Sequence, residues 1–271
     1  MSAPSSTSGR ELLALLAALA LACTEKPAAP PPDLKSAAPQ PLAPLDPAEA
    51  AFQVAPAAVF GEEPPSKAVR LSFKAGHAKL GEEDFALDAP DAVRALQAKA
   101  KEATVLLAAQ DDTFLAQAAP ALEALDEAGA TVWIQHPADA RVAFPVLLRD
   151  EASFQIWIDE PKLGKVRAIQ RADGFELMTK IGKLPGADPN GPTVPVRGGQ
   201  MDVATLRRGL SRLKDRFPKS DDACLVPSFG TELQAVARAL SGFWSAAGDP
   251  IFSQVCLVYP RPVPKHPDGG H

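Results

Sequence analysis

A strand–helix–strand order that occurs twice, once in each half, constrains the fold of this chain more than any single residue does. Residues 104–109 (TVLLAA) read as a buried strand, 113–128 as a helix and 130–136 (ATVWIQH) as a second strand. Residues 223–227 (ACLVP), 231–247 and 253–260 (SQVCLVYP) repeat that order with the same punctuation. Thr113 and Thr231 stand where an N-cap hydroxyl accepts a bond from the first turn. Gly129 and Gly248 follow the last expected helical residues, where a left-handed C′ position favours glycine. Pro137 and Pro260 close the final strands. A duplicated unit of this kind predicts crossover connections, with helices packed on a sheet.

The wider pattern adds a half-buried strand at 69–73 (VRLSF) and a helix opened by Asp88-Ala89-Pro90-Asp91 and running to about Lys101. The second half adds strands at 144–149, 154–158, 166–169 and 175–181, and a short strand at 194–197. Asp202 caps a helix over 203–216, in which Leu206, Leu210 and Leu213 fall on one face. Units at 67–140 and 141–262 therefore share a plan of strands, helix, strand, helix, strand. The expected class is α+β, with helices on mixed sheets.

The first quarter of the 271 residues has a different character. Residues 12–22 (LLALLAALALA) form a compact apolar run, short for a membrane span, that ends in small residues before Cys23. This reads as a signal peptide over 1–22. The sequence Leu19-Ala20-Leu21-Ala22-Cys23 resembles the lipobox of bacterial lipoproteins, which implies lipidation of Cys23 and a membrane anchor. An ordinary secretory signal or a core helix are the other readings. Thr24, not aspartate, follows the cysteine, which under the sorting rule for such lipoproteins implies the outer membrane. Residues 23–66 are rich in proline and alanine and read as a tether, reaching on the order of 100 Å if extended at about 3 Å per residue. The tail, 263–271, is polar and proline-bearing and reads as disordered.

An early amphipathic strand, Val105-x-Leu107-x-Ala109, a helix closed by Ala128-Gly129 and a final Val132-x-Ile134 resemble the periplasmic domain of the ExbD/TolR biopolymer-transport family. The second half matches through 206–216, 225–227, Ala247-Gly248 and 255–258. The resemblance implies an envelope module that dimerises and contacts the cell wall or partner proteins, with two copies in one chain forming an internal pseudodimer. Family members carry a transmembrane helix with a proton-coupling aspartate. Residues 12–22 hold no acidic residue, and the slot after the Val105–Ala109 strand is Gln110, with Asp111 next; in the second half it is Ser228. The resemblance thus implies the folded domain without the proton-carrying element. The alternative is a membrane-inserted subunit of a proton-driven transport system, with residues 12–22 left uncleaved.

No motif announces an enzyme, a cofactor or a metal. None of His77, His136, His266 and His271 lies at a metal-ligand spacing from cysteine or carboxylate. Ser228 sits between strand and helix, but PSFGT lacks the glycine frame of a nucleophile turn. GPTVPVRGG at 191–199 does not close as a phosphate loop, and Asp188-Pro189-Asn190-Gly191 lacks the later ligands of a calcium loop. A net charge of -5 gives no support to nucleic-acid binding. With Cys23 lipidated, Cys224 and Cys256 remain as an even pair, either bridged or serving as small buried hydrophobes. Arg197, Arg207, Arg208, Arg212 and Arg216, with Lys214 and Lys219, gather in and around the 203–216 helix. Guanidinium groups suit the carboxylates and phosphates of wall peptides and lipid headgroups. The competing reading is a solvated helix face with cations at its favourable end.

Overall fold

The computed structural model describes residues 59–109 and 112–261. The signal segment, Cys23, most of the tether, Gln110, Asp111 and the tail from 262 lie outside the described residues. The first half consists of β1 (Val69–Lys74), β2 (His77–Leu80), β3 (Glu83–Ala86), α1 (Pro90–Lys99), β4 (Thr104–Ala108), α2 (Leu115–Glu127), β5 (Thr131–His136) and β6 (Asp139–Arg149). The second contains α3 (Glu151–Asp159), β7 (Val166–Arg171), β8 (Gly174–Thr179), β9 (Gly182–Lys183), β10 (Val194–Pro195), α4 (Val203–Arg216), β11 (Asp222–Pro227), α5 (Leu233–Leu240) and β12 (Gln254–Val258).

All twelve strands join one mixed sheet in the order β10-β8-β7-β11-β12-β6-β5-β4-β1-β2-β3, with β9 beside β8. The pairings run alike in the two halves. β1 pairs antiparallel with β2 and parallel with β4, and β4 pairs parallel with β5. In the second half β7 pairs antiparallel with β8 and parallel with β11, and β11 pairs parallel with β12. The long β6 joins them: its residues 143–146 run antiparallel to β5, and 147–149 run parallel to β12.

Period-two alternation sends one set of side chains to each face of this sheet. Leu71, Val105, Leu107, Val132, Ile134, Phe144, Ala168, Phe175, Leu225 and Leu257 face α1, α2, α4 and α5 in one core. The opposite face carries α3, whose Trp157 packs on Cys224, Cys256 and Val258. Helix α4 buries Leu206, Leu210 and Leu213, spaced three and four apart, and Asp202 caps it by accepting from the Thr205 amide at 2.9 Å.

Where the halves meet, Leu115 N–H donates to the Thr231 carbonyl and Leu233 N–H donates to the Thr113 carbonyl, both at 2.9 Å. The exchange is reciprocal between corresponding positions, as across an isologous two-fold contact.

Several expectations are corrected. The caps are not Thr113 and Thr231 but Phe114 and Glu232, and the Gln117 side chain accepts from the Phe114 amide. The two threonines are drawn into the exchange just described. Residues 154–158 are helix, not strand: Asp150 accepts from the Ser153 amide at 2.7 Å, and Phe154, Trp157 and Ile158 share a helical stripe. A five-residue apolar run such as FQIWI fits either period. The segment between β1 and α1, for which no strand was expected, forms the antiparallel β2–β3 hairpin. Helix α5 stops at Leu240 and continues as a 3-10 turn over Ser241–Phe243. There α4 packs against bare backbone: a Cβ on Gly242 would stand 2.7 Å from a Leu206 methyl. Gly248, with φ of 94°, therefore belongs to a later turn and not to a helix end.

Candidate binding cleft

A cleft of about 970 Å³ opens where β7, β11 and β12 begin and α4 ends. Leu163, Phe217 and Pro218 supply apolar wall, and Lys162, Arg216 and Lys219 supply cations. The cleft is positioned by the crossover itself, since the chain leaving α4 must turn through 217–221 to enter β11. That turn is pinned by hydrogen bonds: Lys214 donates to the Ser220 carbonyl at 2.6 Å, and the Ser220 hydroxyl donates to the Gly164 carbonyl. Gln254 N–H donates to the Asp221 carbonyl at 3.0 Å, which fixes the start of β12 against the same turn.

The floor is an ion-pair network. Lys165 is 1% exposed, and its Nζ lies 2.9 Å from Glu160 Oε2 and 3.0 Å from Asp222 Oδ2. It also lies 4.4 Å from the centre of the Trp157 ring, whose indole N–H donates to the same Asp222 oxygen. Burial by itself would raise the Asp222 carboxyl, but the indole and Lys165 bonds outweigh it and hold the carboxyl below its usual value. The bond from Lys165 likewise lowers Glu160. A buried ammonium between two carboxylates is stabilised because each partner offsets the other's desolvation.

Lys165 is fully engaged, the Ser220 hydroxyl is committed to Gly164, and no histidine lines the cleft. Elsewhere, Ser228 shares its hydroxyl with Thr231 at 2.9 Å, in keeping with a structural turn. His77 pairs with Asp84 at 3.1 Å on the surface. His136 is buried, accepts from the Ala138 amide, and is lowered by burial and by Arg238. Among the described residues no group of three His, Cys, Asp or Glu side chains could hold a metal ion, and no helix is long and apolar enough to cross a membrane.

The arginine cluster does not form one surface. Arg207 turns inward, donating to the Trp244 carbonyl at 2.7 Å and the Ser241 carbonyl at 3.1 Å. Its guanidinium lies 4.6 Å from the centre of the Phe60 ring, and burial lowers its pKa. This residue is corrected from ligand contact to internal tie, because the 3-10 turn leaves carbonyls that need a donor. Arg197 pairs with Asp202 at 3.3 Å. Arg208 donates to the Thr205 hydroxyl at 2.7 Å. Arg208, Arg212 and Arg216 follow one another at four-residue spacing, and only Arg216 reaches the cleft.

Cys224 and Cys256 oppose each other in register and are joined by a disulfide beneath α3. The cleft was not read from the sequence. Its one local signal was the charge on either side of Pro161 and Pro218, spread over two segments that only the sheet brings together. No family model matches this chain, and neither a curated protein nor a solved structure does.

Proposed function

We propose that this chain is a non-catalytic bacterial envelope lipoprotein, anchored through Cys23. Its folded part would be a tandem pair of ExbD/TolR-like units that binds or scaffolds the cell wall or an envelope transport complex. The observation that carries the reading is the reciprocal exchange between Thr113–Leu115 and Thr231–Leu233, around which both halves repeat the same pairings. Two units joined this way pack as the subunits of a dimer do, which supports the internal pseudodimer. A module built so presents surfaces to partners and needs no reacting groups. The cationic rim of the cleft, Lys162, Arg216 and Lys219, suits the carboxylates of wall peptides.

The test is co-sedimentation of the full chain with purified sacculi, beside a Lys162→Glu/Lys219→Glu variant. Parent in the pellet and variant in the supernatant supports the reading and the cleft. Pelleting of both keeps the wall as partner and removes the cleft from the interface. If neither pellets, the wall is not the ligand and an envelope protein complex takes its place.

A further inference from the structure

The crossover from α4 to β11 is built differently from its counterpart in the first half. There, residues 100–103 (AKEA) carry the chain from α1 into β4, with Ala100 fully buried and Ala103 N–H donating to the Ala100 carbonyl at 3.0 Å. That turn presents no large apolar side chain. Residues 217–221 instead present Phe217 and Pro218 to the cleft, and Leu163 stands on the facing segment at 58% exposed.

The exposure of Leu163 is fixed by its loop. Lys180 N–H donates to the Leu163 carbonyl at 3.3 Å, and Lys180 Nζ donates to the carbonyls of Asp159 and Glu160 at 3.1 and 2.8 Å. At the base of the cleft the two segments touch: a Cβ on Gly164 would stand 2.9 Å from the Phe217 Cβ. Water thus wets a preformed apolar surface whose burial would be favourable. A concave site with an apolar lining and a few placed polar groups is the usual form of a small-molecule site, and about 970 Å³ suffices for one.

The charge beside this surface is positive once internal pairs are set aside. Asp222 is claimed by Lys165 and Trp157, and Asp221 lies 3.4 Å from Lys214. Lys162 lies 3.5 Å from Glu160, which has the nearer Lys165 at 2.9 Å. Lys219, on the segment facing Lys162, has no carboxylate partner among the described residues. The exposed side chains of Ser253 and Gln254 add hydrogen-bond donors at the same cleft.

We propose that the cleft binds a single-chain anionic amphiphile, a long-chain carboxylate. Its head lies between Lys162 and Lys219, and its chain covers Leu163, Phe217 and Pro218. Lysine suits this arrangement, because its stem lies along an apolar chain while its ammonium meets the head. A cell-wall peptide carries its carboxylates on short polar arms and would leave the apolar surface wet. The inference goes beyond the cell-wall reading and does not rest on it, since that reading needs only the cationic rim.

Calorimetric titration of the full chain with dodecanoate, kept below its micellar concentration, tests it. Decanoate, acetate and dodecyltrimethylammonium are the comparison probes. The expected result is saturable binding of dodecanoate, with decanoate weaker by about tenfold for the two methylenes lost. Acetate and the dodecyl cation should be weaker still. Lys162→Glu/Lys219→Glu and Leu163→Ser should each weaken dodecanoate by about tenfold or more. All three side chains are exposed, so circular dichroism of both variants should match the parent. A parent that does not bind dodecanoate overturns the proposal. So does equal affinity for the dodecyl cation, which leaves only an apolar patch, or equal affinity for acetate, which leaves only surface cations. Unchanged affinity in either variant also overturns it, because the ligand then lies elsewhere. Sedimentation with sacculi is read separately: dodecanoate binding without pelleting removes the cell wall and leaves this inference standing, and pelleting without dodecanoate binding does the reverse.

Discussion

Replacing Lys165 with methionine tests the ion-pair floor most directly. The substitution keeps most of the side-chain volume and removes the ammonium that Glu160 and Asp222 share. Breaking a fully buried pair from one side costs about 3–5 kcal/mol. Here the carboxylates are partly wet, at 41% and 25% exposed, and Asp222 retains the Trp157 indole, so about 2 kcal/mol is expected. For a folded part of this size that lowers Tm by about 4–8 °C. The assay is urea denaturation followed by circular dichroism, repeated as pH falls. Asp222 and Glu160 have lowered folded pKa values, so their contribution is full above the ordinary values of 3.8 and 4.5. It is lost as pH falls through the lower folded values. The gap between parent and variant should therefore close in acid. Adding Asp222→Asn to Lys165→Met should recover much of the loss at neutral pH, since the amide oxygen still accepts from the indole. An unchanged midpoint at neutral pH, or a gap that persists in acid, would refute the argument.

The remaining outcomes can be checked together. Reducing Cys224–Cys256, which closes a separation of 32 residues, should cost about 3–4 kcal/mol in a denaturant titration, on chain entropy. The native protein should also resist thiol reagents until it unfolds, because both sulfurs lie under α3. Arg207→Ala should destabilise by about 2–3 kcal/mol by urea midpoint, since it leaves the Ser241 and Trp244 carbonyls without their donor. Arg207→Ala with the parent's midpoint would return that residue to the list of ligand contacts. Gly242→Ala should cost about 1–3 kcal/mol through its clash with Leu206, and Leu206→Val should relieve part of it in a double variant.

What was legible in the sequence was whatever rests on local periodicity. Helix α4 was placed at its observed bounds, because Leu206, Leu210 and Leu213 mark one face and Asp202 marks its start. Strands β4, β5, β11 and β12 were visible as apolar runs between turn signals, and their repetition announced the mixed α+β plan. Helix α3 was missed because five apolar-rich residues satisfy both periods. Helix α5 was drawn too long because nothing in residues 231–247 reveals that Leu206 presses on Gly242.

The candidate site depended on distances that no local pattern encodes. Arg207 and Arg212 look alike in the sequence, yet the carbonyls of Ser241 and Trp244, over thirty residues away, claim the first. The cysteine pair was even in number, but only the register of β11 with β12 sets the two residues opposite each other. Lys165 meets Asp222 across 57 residues, and the cleft exists because the sheet brings the start of β7 to the end of α4. The sequence by itself determined most of the helices and strands, the mixed α+β class and the unlike composition of the N-terminal quarter, since these follow from side-chain periodicity and composition. Only the tertiary structure decided that both halves share one sheet, that α3 covers the far face of one half, and which charges are internal, because those depend on packing between distant segments.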